Sequence, residues 1–202
     1  MDPLSIRAKF AGDYTATECT YRLGIDARIT ERIAERFQDR VVFETCTGGG
    51  FTTIALARTA KRVITVELEA EHQEQARENL AKAQLLDRVH LIAGDCLSDA
   101  VLTRVGDVDA AFLDPDWALG GIGHVCRFRA SNMRPAADLL LAKVLTLTAE
   151  IALILPPFID LNELEGIPPH ELQSIYLERE HALYCLYFGR LAKTFGKTEL
   201  FV

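Results

Sequence analysis

Short apolar runs, rich in β-branched residues, recur along the chain at 41–44, 63–67, 89–93, 110–113 and 151–155. Runs of this kind are typical of strands buried on both faces of a parallel sheet. Between the second and third runs, apolar residues recur every three or four positions from Leu68 to Ala83, which predicts an amphipathic helix. A second such pattern precedes the fifth run. The alternation predicts an α/β fold with a doubly wound, mostly parallel sheet.

The two ends of the chain depart from this alternation. Residues 1–40 carry a helical pattern with Thr30 as its expected N-cap, so we predict a helical lead-in to a domain of residues 41–202. The runs 181–189 and 197–202 have strand character and are separated by a polar linker too short for a crossover helix. They predict an antiparallel hairpin at the C-terminal end of the sheet.

Composition and charge narrow the class of protein. The 202 residues are 49% apolar and 25% charged, as in a globular protein of one domain. A net charge of −7 gives no global attraction to nucleic acid or to anionic membrane, so any such site must be a local patch. No run approaches a membrane span and the start lacks a signal-peptide pattern, so we expect a cytoplasmic protein. The five scattered cysteines favour neither disulfides nor a metal site.

Acidic residues stand at the ends of four consecutive predicted strands. They are Glu44, Glu67, Asp95 and Asp114. In a doubly wound sheet, ligands bind outside the carboxyl ends of the strands. A single acid at such a position is an ordinary turn residue, whereas four of them together indicate a binding site.

A triple glycine at 48–50 follows the first strand and opens a helix, where its backbone N–H groups can approach a ligand. Glu67 follows the last glycine by 17 residues, close to the offset of an acid that binds ribose hydroxyls. Thr53 in place of a third glycine and the acid at Glu44 both disfavour NAD. A carboxylate beside the loop suits a cofactor with a positively charged amino acid, and Asp95 can accept from an adenine amino group.

The pattern ETCTGGG, the ribose acid and the GD turn resemble the class I S-adenosylmethionine-dependent methyltransferases over nearly the whole chain. The resemblance implies a Rossmann-like sheet and S-adenosyl-L-methionine as the cofactor. It also implies that Gly48 and Gly50 shape the cofactor loop with Glu44 at its edge, that Glu67 holds the ribose, and that Asp95 meets the adenine. The other residues that we include in this cofactor site are Thr45, Cys46, Leu68, Cys96 and Asp114.

Residues 114–117 read DPDW, similar to the [DNS]-P-P-[YFW] motif of enzymes that methylate exocyclic amines of bases. An aryl amine is a poor nucleophile because its lone pair is conjugated with the ring. A carboxylate and a backbone carbonyl that accept its N–H bonds favour a more reactive nitrogen. We assign these catalytic roles to Asp114 and Pro115, and we expect Trp117 to stack on the base.

A wider stretch, residues 28 to 195, is similar to the trimethylguanosine synthase family of RNA cap guanine-N2 methyltransferases, whose motif reads SPPWGG. The resemblance implies guanine N2 of capped RNA as the methyl acceptor, with Trp117 stacked on the guanine. Asp116 replaces the second proline of the motif, and two residues intervene before the glycine pair. Asp116 adds negative charge, which could pair with a positively charged base such as N7-methylguanine.

RNA binding also needs local positive charge. Residues 122–145 contain four basic residues against one acidic residue. We expect Arg127 and Arg129 to bind phosphates, and His124 or Phe128 to line the base pocket.

Two alternatives stay open at this point. The same fold could methylate another base amine, a protein side chain or a small molecule, which the net charge of −7 permits. The change from DPPW to DPDW also allows a catalytically inactive module that binds the cofactor without turnover. The sequence leaves the acceptor and the oligomeric state undetermined.

Overall fold

The computed structural model describes residues 1–117 and 126–202. The chain divides into two compact units, residues 1–109 and residues 110–202. Within the described residues, none of the helices has the length and apolar character needed to cross a membrane. The α/β class and the mostly parallel strand arrangement predicted from the sequence are confirmed.

The first unit contains three short helices followed by three parallel strands with helices between them. Its helices are α1 (Pro3–Phe10), α2 (Glu18–Leu23), α3 (Ala27–Ala34), α4 (Phe51–Thr59), α5 (Ala70–Lys82) and α6 (Asp99–Val105). Its strands are β1 (Val41–Thr45), β2 (Arg62–Glu67) and β3 (Val89–Ala93). β2 lies between β1 and β3 and is parallel to both. The carboxyl ends of all three strands therefore meet at one edge.

Packing in this unit follows from the apolar pattern of its elements. β2 is buried from Val63 to Glu67, and α5 presents the buried residues Ala76 and Leu80 on one face. The helical segment before β1 is attached through aromatic contact, since Phe10 of α1 stacks on Phe51 at the start of α4 with ring centroids 3.5 Å apart.

Helix α3 begins earlier than the sequence pattern suggests. The Asp26 carboxylate accepts the N–H of Arg28 at 3.0 Å and caps the helix. Thr30 lies inside the helix, where its hydroxyl donates to the carbonyl of Ala27 at 3.2 Å. The prediction of Thr30 as N-cap is therefore wrong, because an acceptor one turn upstream satisfies the free N–H groups of the first turn.

The second unit contains five of the described strands and one described α-helix. The strands are β4 (Ala110–Leu113), β5 (Ile151–Leu155), β6 (His170–Leu177), β7 (Glu180–Phe188) and β8 (Gly196–Phe201), and the helix is α7 (Ala137–Val144). They lie in the order β4-β5-β7-β6-β8. β5 is parallel to β4, β7 is antiparallel to β5 and β6, and β8 is parallel to β6. Every residue of β4 and β5 is buried, as their apolar runs predict.

The predicted antiparallel hairpin is confirmed, but β6 and β7 form it. The expected pairing of 181–189 with 197–202 is wrong, because β8 pairs in parallel with β6. The turn between β6 and β7 places Glu178 at φ 50° and Arg179 at φ 74°. Two-residue turns with positive φ usually contain Asn or Gly. Because this turn contains Glu178 and Arg179 instead, the sequence does not indicate a hairpin at this position.

Candidate functional site

The loop between β1 and α4 presents its backbone at the carboxyl edge of the first unit. Gly48 and Gly50 have φ of 54° and 80°, in the left-handed region that favours glycine. A Cβ at Gly50 would lie 3.0 Å from Ala76 of α5, so the helix packs directly on the loop. Of the atoms in residues 1–117 and 126–202, a Cβ at Gly48 would meet only the Cys46 carbonyl oxygen, at 4.0 Å. Among these residues, Gly48 thus borders space that a ligand can enter.

Glu67 ties this loop to the end of β2. Its Oε2 accepts the N–H of Gly48 at 2.7 Å, and its Oε1 accepts the N–H of Glu69 at 2.9 Å. An ionised carboxylate has about four acceptor positions, so two backbone donors leave capacity for hydroxyl groups of a ligand. This geometry suits the ribose-binding role expected of Glu67, which stays a prediction.

Glu44 is a buried carboxyl group at the same edge. It is 1% exposed, and its Oε2 accepts the hydroxyl of Thr53 at 2.6 Å. Burial raises the pKa of Glu44 to about 7 against the lowering effect of hydrogen bonds from Thr53 and Thr65, and the charge of Glu67 raises it further. Thr53, which stands where a dinucleotide-binding loop would have glycine, therefore supports the carboxyl group.

Two buried side-chain oxygens of this unit have no hydrogen-bond partner within the described ranges. They are Thr45 Oγ1 and Gln75 Oε1. Gln75 Oε1 lies 3.3 Å from the position that a Cβ would take at Gly49, directly at the glycine loop. Since buried polar atoms normally have partners, both oxygens have hydrogen-bonding capacity for a water molecule or a ligand at this edge. Gln75 was not predicted, because a glutamine on an amphipathic helix is usually a solvated residue.

Asn79 of α5 is hydrogen-bonded to the backbone of the glycine loop. Its side chain is fully buried, and Nδ2 donates to the carbonyls of Gly49 and Thr15, each at 2.9 Å. Its Oδ1 accepts the N–H of Thr15 at 2.8 Å. One amide thus connects the N-terminal segment to the loop, a role that the helical pattern of α5 did not reveal.

The predicted adenine side of the site follows β2 and β3. The N–H of Gly94 donates to the carbonyl of Glu67 at 2.9 Å, which brings Asp95 beside the end of β2. Asp95 is exposed and Cys96 is buried. Leu68 is 54% exposed. Together with Glu44, Thr45, Cys46 and the glycines, the first unit therefore gathers all its predicted cofactor residues at one sheet edge.

In the second unit, the DPDW segment directly follows β4. Asp114 is half-buried and Pro115 is buried. The backbone of Asp116 forms an antiparallel bridge with Arg134, with N–H to carbonyl distances of 2.8 and 2.9 Å in the two directions. The bridge fixes the main chain on the C-terminal side of Asp114 and Pro115.

Trp117 packs edge to face against Phe158, with ring centroids 5.9 Å apart and an interplanar angle of 76°. Its carbonyl accepts the thiol of Cys126 at 3.6 Å. Phe158 follows β5 by three residues and is 55% exposed. We call these two rings the aromatic corner. Phe158 was not predicted, although an exposed phenylalanine after a strand end is the signal that could have identified it.

The basic segment after DPDW folds against acidic residues. The Glu163 carboxylate accepts the N–H groups of Phe128 and Arg129 at 2.6 and 3.0 Å. The Arg129 guanidinium donates to the carbonyl of Glu165. The Glu163 carboxylate therefore places a negative charge beside the backbone of Arg129, and the guanidinium already donates one hydrogen bond within the protein.

The other residues expected to contact RNA have different environments. Arg127 is exposed, while its backbone N–H donates to the Asn132 side chain at 2.9 Å. Phe128 is only 3% exposed and packs in the interior of the second unit rather than lining an open pocket. His124, the alternative to Phe128, lies outside the described residues.

The chain is similar in sequence to two groups of methyltransferases. A family model of RNA cap guanine-N2 methyltransferases matches residues 39–188. A catechol O-methyltransferase of Mycobacterium tuberculosis is 41% identical over 87 residues, which are 42% of this chain and 40% of that protein. The chain thus matches about two fifths of the length of this relative.

Solved structures show the same fold at low sequence identity. A protein of Porphyromonas gingivalis described as a methyltransferase has a TM-score of 0.76 and 19% identity, covering 94% of this chain and 48% of its own. The O-methyltransferase TomG of Streptomyces achromogenes, solved with S-adenosylmethionine, has a TM-score of 0.60 and 16% identity, covering 92% and 94%.

Proposed function

We propose that this chain, which belongs to the RNA cap guanine-N2 methyltransferase family, methylates the N2 amine of a guanine in RNA. The chain is a methyltransferase, and its cofactor is S-adenosylmethionine. The observation that carries the proposed acceptor is the family match over 39–188, which contains both the glycine loop and the DPDW segment.

The first unit has the groups that the cofactor requires. Within the described ranges, Gly48 borders space that a ligand can enter, Glu67 has acceptor capacity for ribose hydroxyls, and Thr45 has a buried oxygen without a partner. S-adenosylmethionine supplies an electrophilic methyl group on a positively charged sulfur. A positive charge close to Glu44 would lower the pKa of its carboxyl group and favour the carboxylate, which in turn attracts the cation.

In the second unit, Asp114 and Pro115 carry the proposed chemistry of the acceptor. The Asp114 carboxylate and the Pro115 carbonyl would accept the two N–H bonds of the amine and direct its lone pair toward the methyl group. The aromatic corner would hold the planar base by stacking. Catalysis by such a site is mainly positioning of the two reacting atoms.

Truncation of the Glu67 side chain should weaken cofactor binding more than its replacement by the neutral isostere glutamine. We expect Glu67→Ala to lower the affinity for S-adenosylmethionine by about 1.5–3 kcal/mol, the range for hydrogen bonds to a charged group. Glu67→Gln keeps an acceptor for one backbone N–H and should lose less. Isothermal titration calorimetry measures both variants. Unchanged affinity in Glu67→Ala would remove this residue from the cofactor site.

Removal of the Trp117 ring should weaken binding of the acceptor and leave the cofactor unaffected. We expect Trp117→Ala to raise the KM for RNA by an amount equivalent to about 1–3 kcal/mol, the contribution of one base stacked on an aromatic ring. Trp117→Phe keeps a stacking surface and is the matched control. Equal kinetics in all three proteins would assign Trp117 to packing alone.

Methylation of a small-molecule hydroxyl is the second candidate function. The 41% identity with a catechol O-methyltransferase over 87 residues favours it, as does the Glu163 carboxylate beside Arg129, a predicted phosphate contact. An inactive cofactor-binding module is the third, because Asp116 alters the motif.

One experiment separates these functions. Methyl-labelled S-adenosylmethionine is incubated with 7-methylguanosine-capped RNA, uncapped RNA, or catechol, using the wild type and Asp114→Ala. Label recovered as N2-methylguanosine in RNA, and lost in the variant, supports the proposal. Label in catechol alone would contradict the RNA acceptor and support methylation of a small-molecule hydroxyl. Cofactor binding without transfer to any acceptor would indicate the inactive module.

A further inference from the structure

β8 forms an open edge of the sheet in the second unit. Within the described residues it is paired with β6 alone, on one side. Its outward face carries Lys197, Glu199 and Phe201, all exposed. Phe195, just before the strand, is 73% exposed, and Phe201 is 63% exposed. An uncovered strand edge with large apolar side chains at both ends is a site for pairing with another strand.

The other face of β8 packs on its own unit, while on the outward face the Phe201 ring stacks on Tyr176 of β6 with ring centroids 4.7 Å apart. Thr198 and Leu200 are half-buried, and the Thr198 hydroxyl donates to Glu171 of β6 at 2.8 Å. Since side chains alternate along a strand, the outward face reads Phe, Lys, Glu, Phe at every second position from Phe195 to Phe201. When a second copy of this pattern runs in the opposite direction, each lysine faces a glutamate and each phenylalanine faces a phenylalanine.

Two copies of β8 related by a two-fold axis perpendicular to the sheet run antiparallel, and residues directly opposite each other share a face. Centring the pair on Lys197 or on Glu199 places like charges opposite each other. Centring it on Thr198 places Lys197 opposite the partner's Glu199, and the same pair recurs across the axis. That register also aligns Phe195 with the partner's Phe201.

We propose that β8 pairs with β8 of a second copy of this chain, antiparallel and centred on Thr198. The backbone supplies hydrogen bonds between the two strands, and two Lys–Glu pairs and two Phe–Phe pairs flank the axis. A second copy is the occupant because the charge pattern is self-complementary. Charged residues on an edge strand usually discourage pairing, but here they disfavour the neighbouring registers and permit this one.

Charge exchange tests this register directly. Lys197→Glu places two carboxylates opposite each other on both sides of the axis, and Glu199→Lys places two ammonium groups there, so each variant should dimerise at least about tenfold more weakly than the wild type. An equimolar mixture of the two variants restores opposite charges and should form a heterodimer. The double variant Lys197→Glu/Glu199→Lys should dimerise like the wild type. Sedimentation equilibrium over a micromolar to millimolar series measures all of these.

Net charge provides the control. Lys61→Glu changes the charge of an exposed lysine in the first unit as Lys197→Glu does, and it should leave dimerisation unchanged. If repulsion between the two acidic chains governed association, Glu199→Lys would strengthen it. That result, a wild type that stays monomeric throughout, or single variants that dimerise normally would each overturn the proposal.

Discussion

Asp114→Ala should slow methyl transfer by about 10²- to 10⁴-fold, the range for a positioned group that manages a proton in the transition state. The physical reason is that the amine loses the carboxylate that accepts its N–H bond and directs its lone pair. The affinity for S-adenosylmethionine should change little. Single-turnover transfer at saturating concentrations of both substrates, together with calorimetry of cofactor binding, measures the two quantities separately.

Asp107→Ala is the control for this prediction. It removes a carboxylate of the same charge from an exposed position just before β4, outside the DPDW segment. Asp114→Asn keeps an acceptor oxygen and should retain more activity than Asp114→Ala. If Asp114→Ala lost cofactor affinity and melting temperature along with activity, Asp114 would be a structural residue at the end of β4.

The stability of the protein should fall between about pH 5 and pH 8 through the ionisation of Glu44. Its pKa is raised from 4.5 to about 7 in the folded chain, so over that interval the folded state holds a proton that the unfolded state has lost. The free energy of unfolding therefore decreases as pH rises and levels off above the folded pKa. A shift of this size corresponds to about 3 kcal/mol.

Urea denaturation of the wild type and Glu44→Gln at pH 5 and pH 8 isolates this contribution. The glutamine variant, which cannot ionise, should lose the corresponding part of the pH dependence. Glu78→Gln, at an exposed glutamate of α5, should keep it. An identical pH dependence in the wild type and Glu44→Gln would show that burial does not perturb Glu44 in the folded protein.

The first five strands could be predicted from the sequence almost to the residue. β1 is predicted as 41–44 and observed as Val41–Thr45, and β3 agrees at both ends. β1, β2, β4 and β5 are almost wholly buried, so their apolar character is continuous and their limits are sharp. The expectation of burial on both faces is wrong for β3, in which only Ile92 is buried, because β3 lies at the edge of the sheet. Glu44, Glu67 and Asp95 were found for the same reason, because they stand where that character ends.

The elements that were missed lack such a pattern. β6 mixes polar and apolar residues, since one face of it is packed and it contains buried Glu171 and Gln173. The partner of β8 was misassigned because adjacency in sequence favoured β7, whereas the free edge was that of β6.

Long-range polar contacts were equally inaccessible. Asn79 bonds to residues 30 and 64 positions away, and Arg129 donates to a carbonyl 36 positions away. Neither partner can be read from local spacing, because hydrogen-bonding capacity identifies a donor but not the acceptor that folding brings to it. The contacts of Arg129 with Glu163 and Glu165 were missed for this reason, since both glutamates belong to a distant stretch of sequence.

The position of β8 beside β6 has a consequence for how the sheet is assembled. β8 is hydrogen-bonded to β6, although β7 lies between these two strands in the sequence. In the sheet, β7 in turn lies between β6 and β5. Pairing of β6 with β7 needs only a two-residue turn and is therefore the fast, local event. The surface that β8 joins becomes a stable edge once this hairpin exists, so we expect β8 to dock after the hairpin has formed and to detach before it opens.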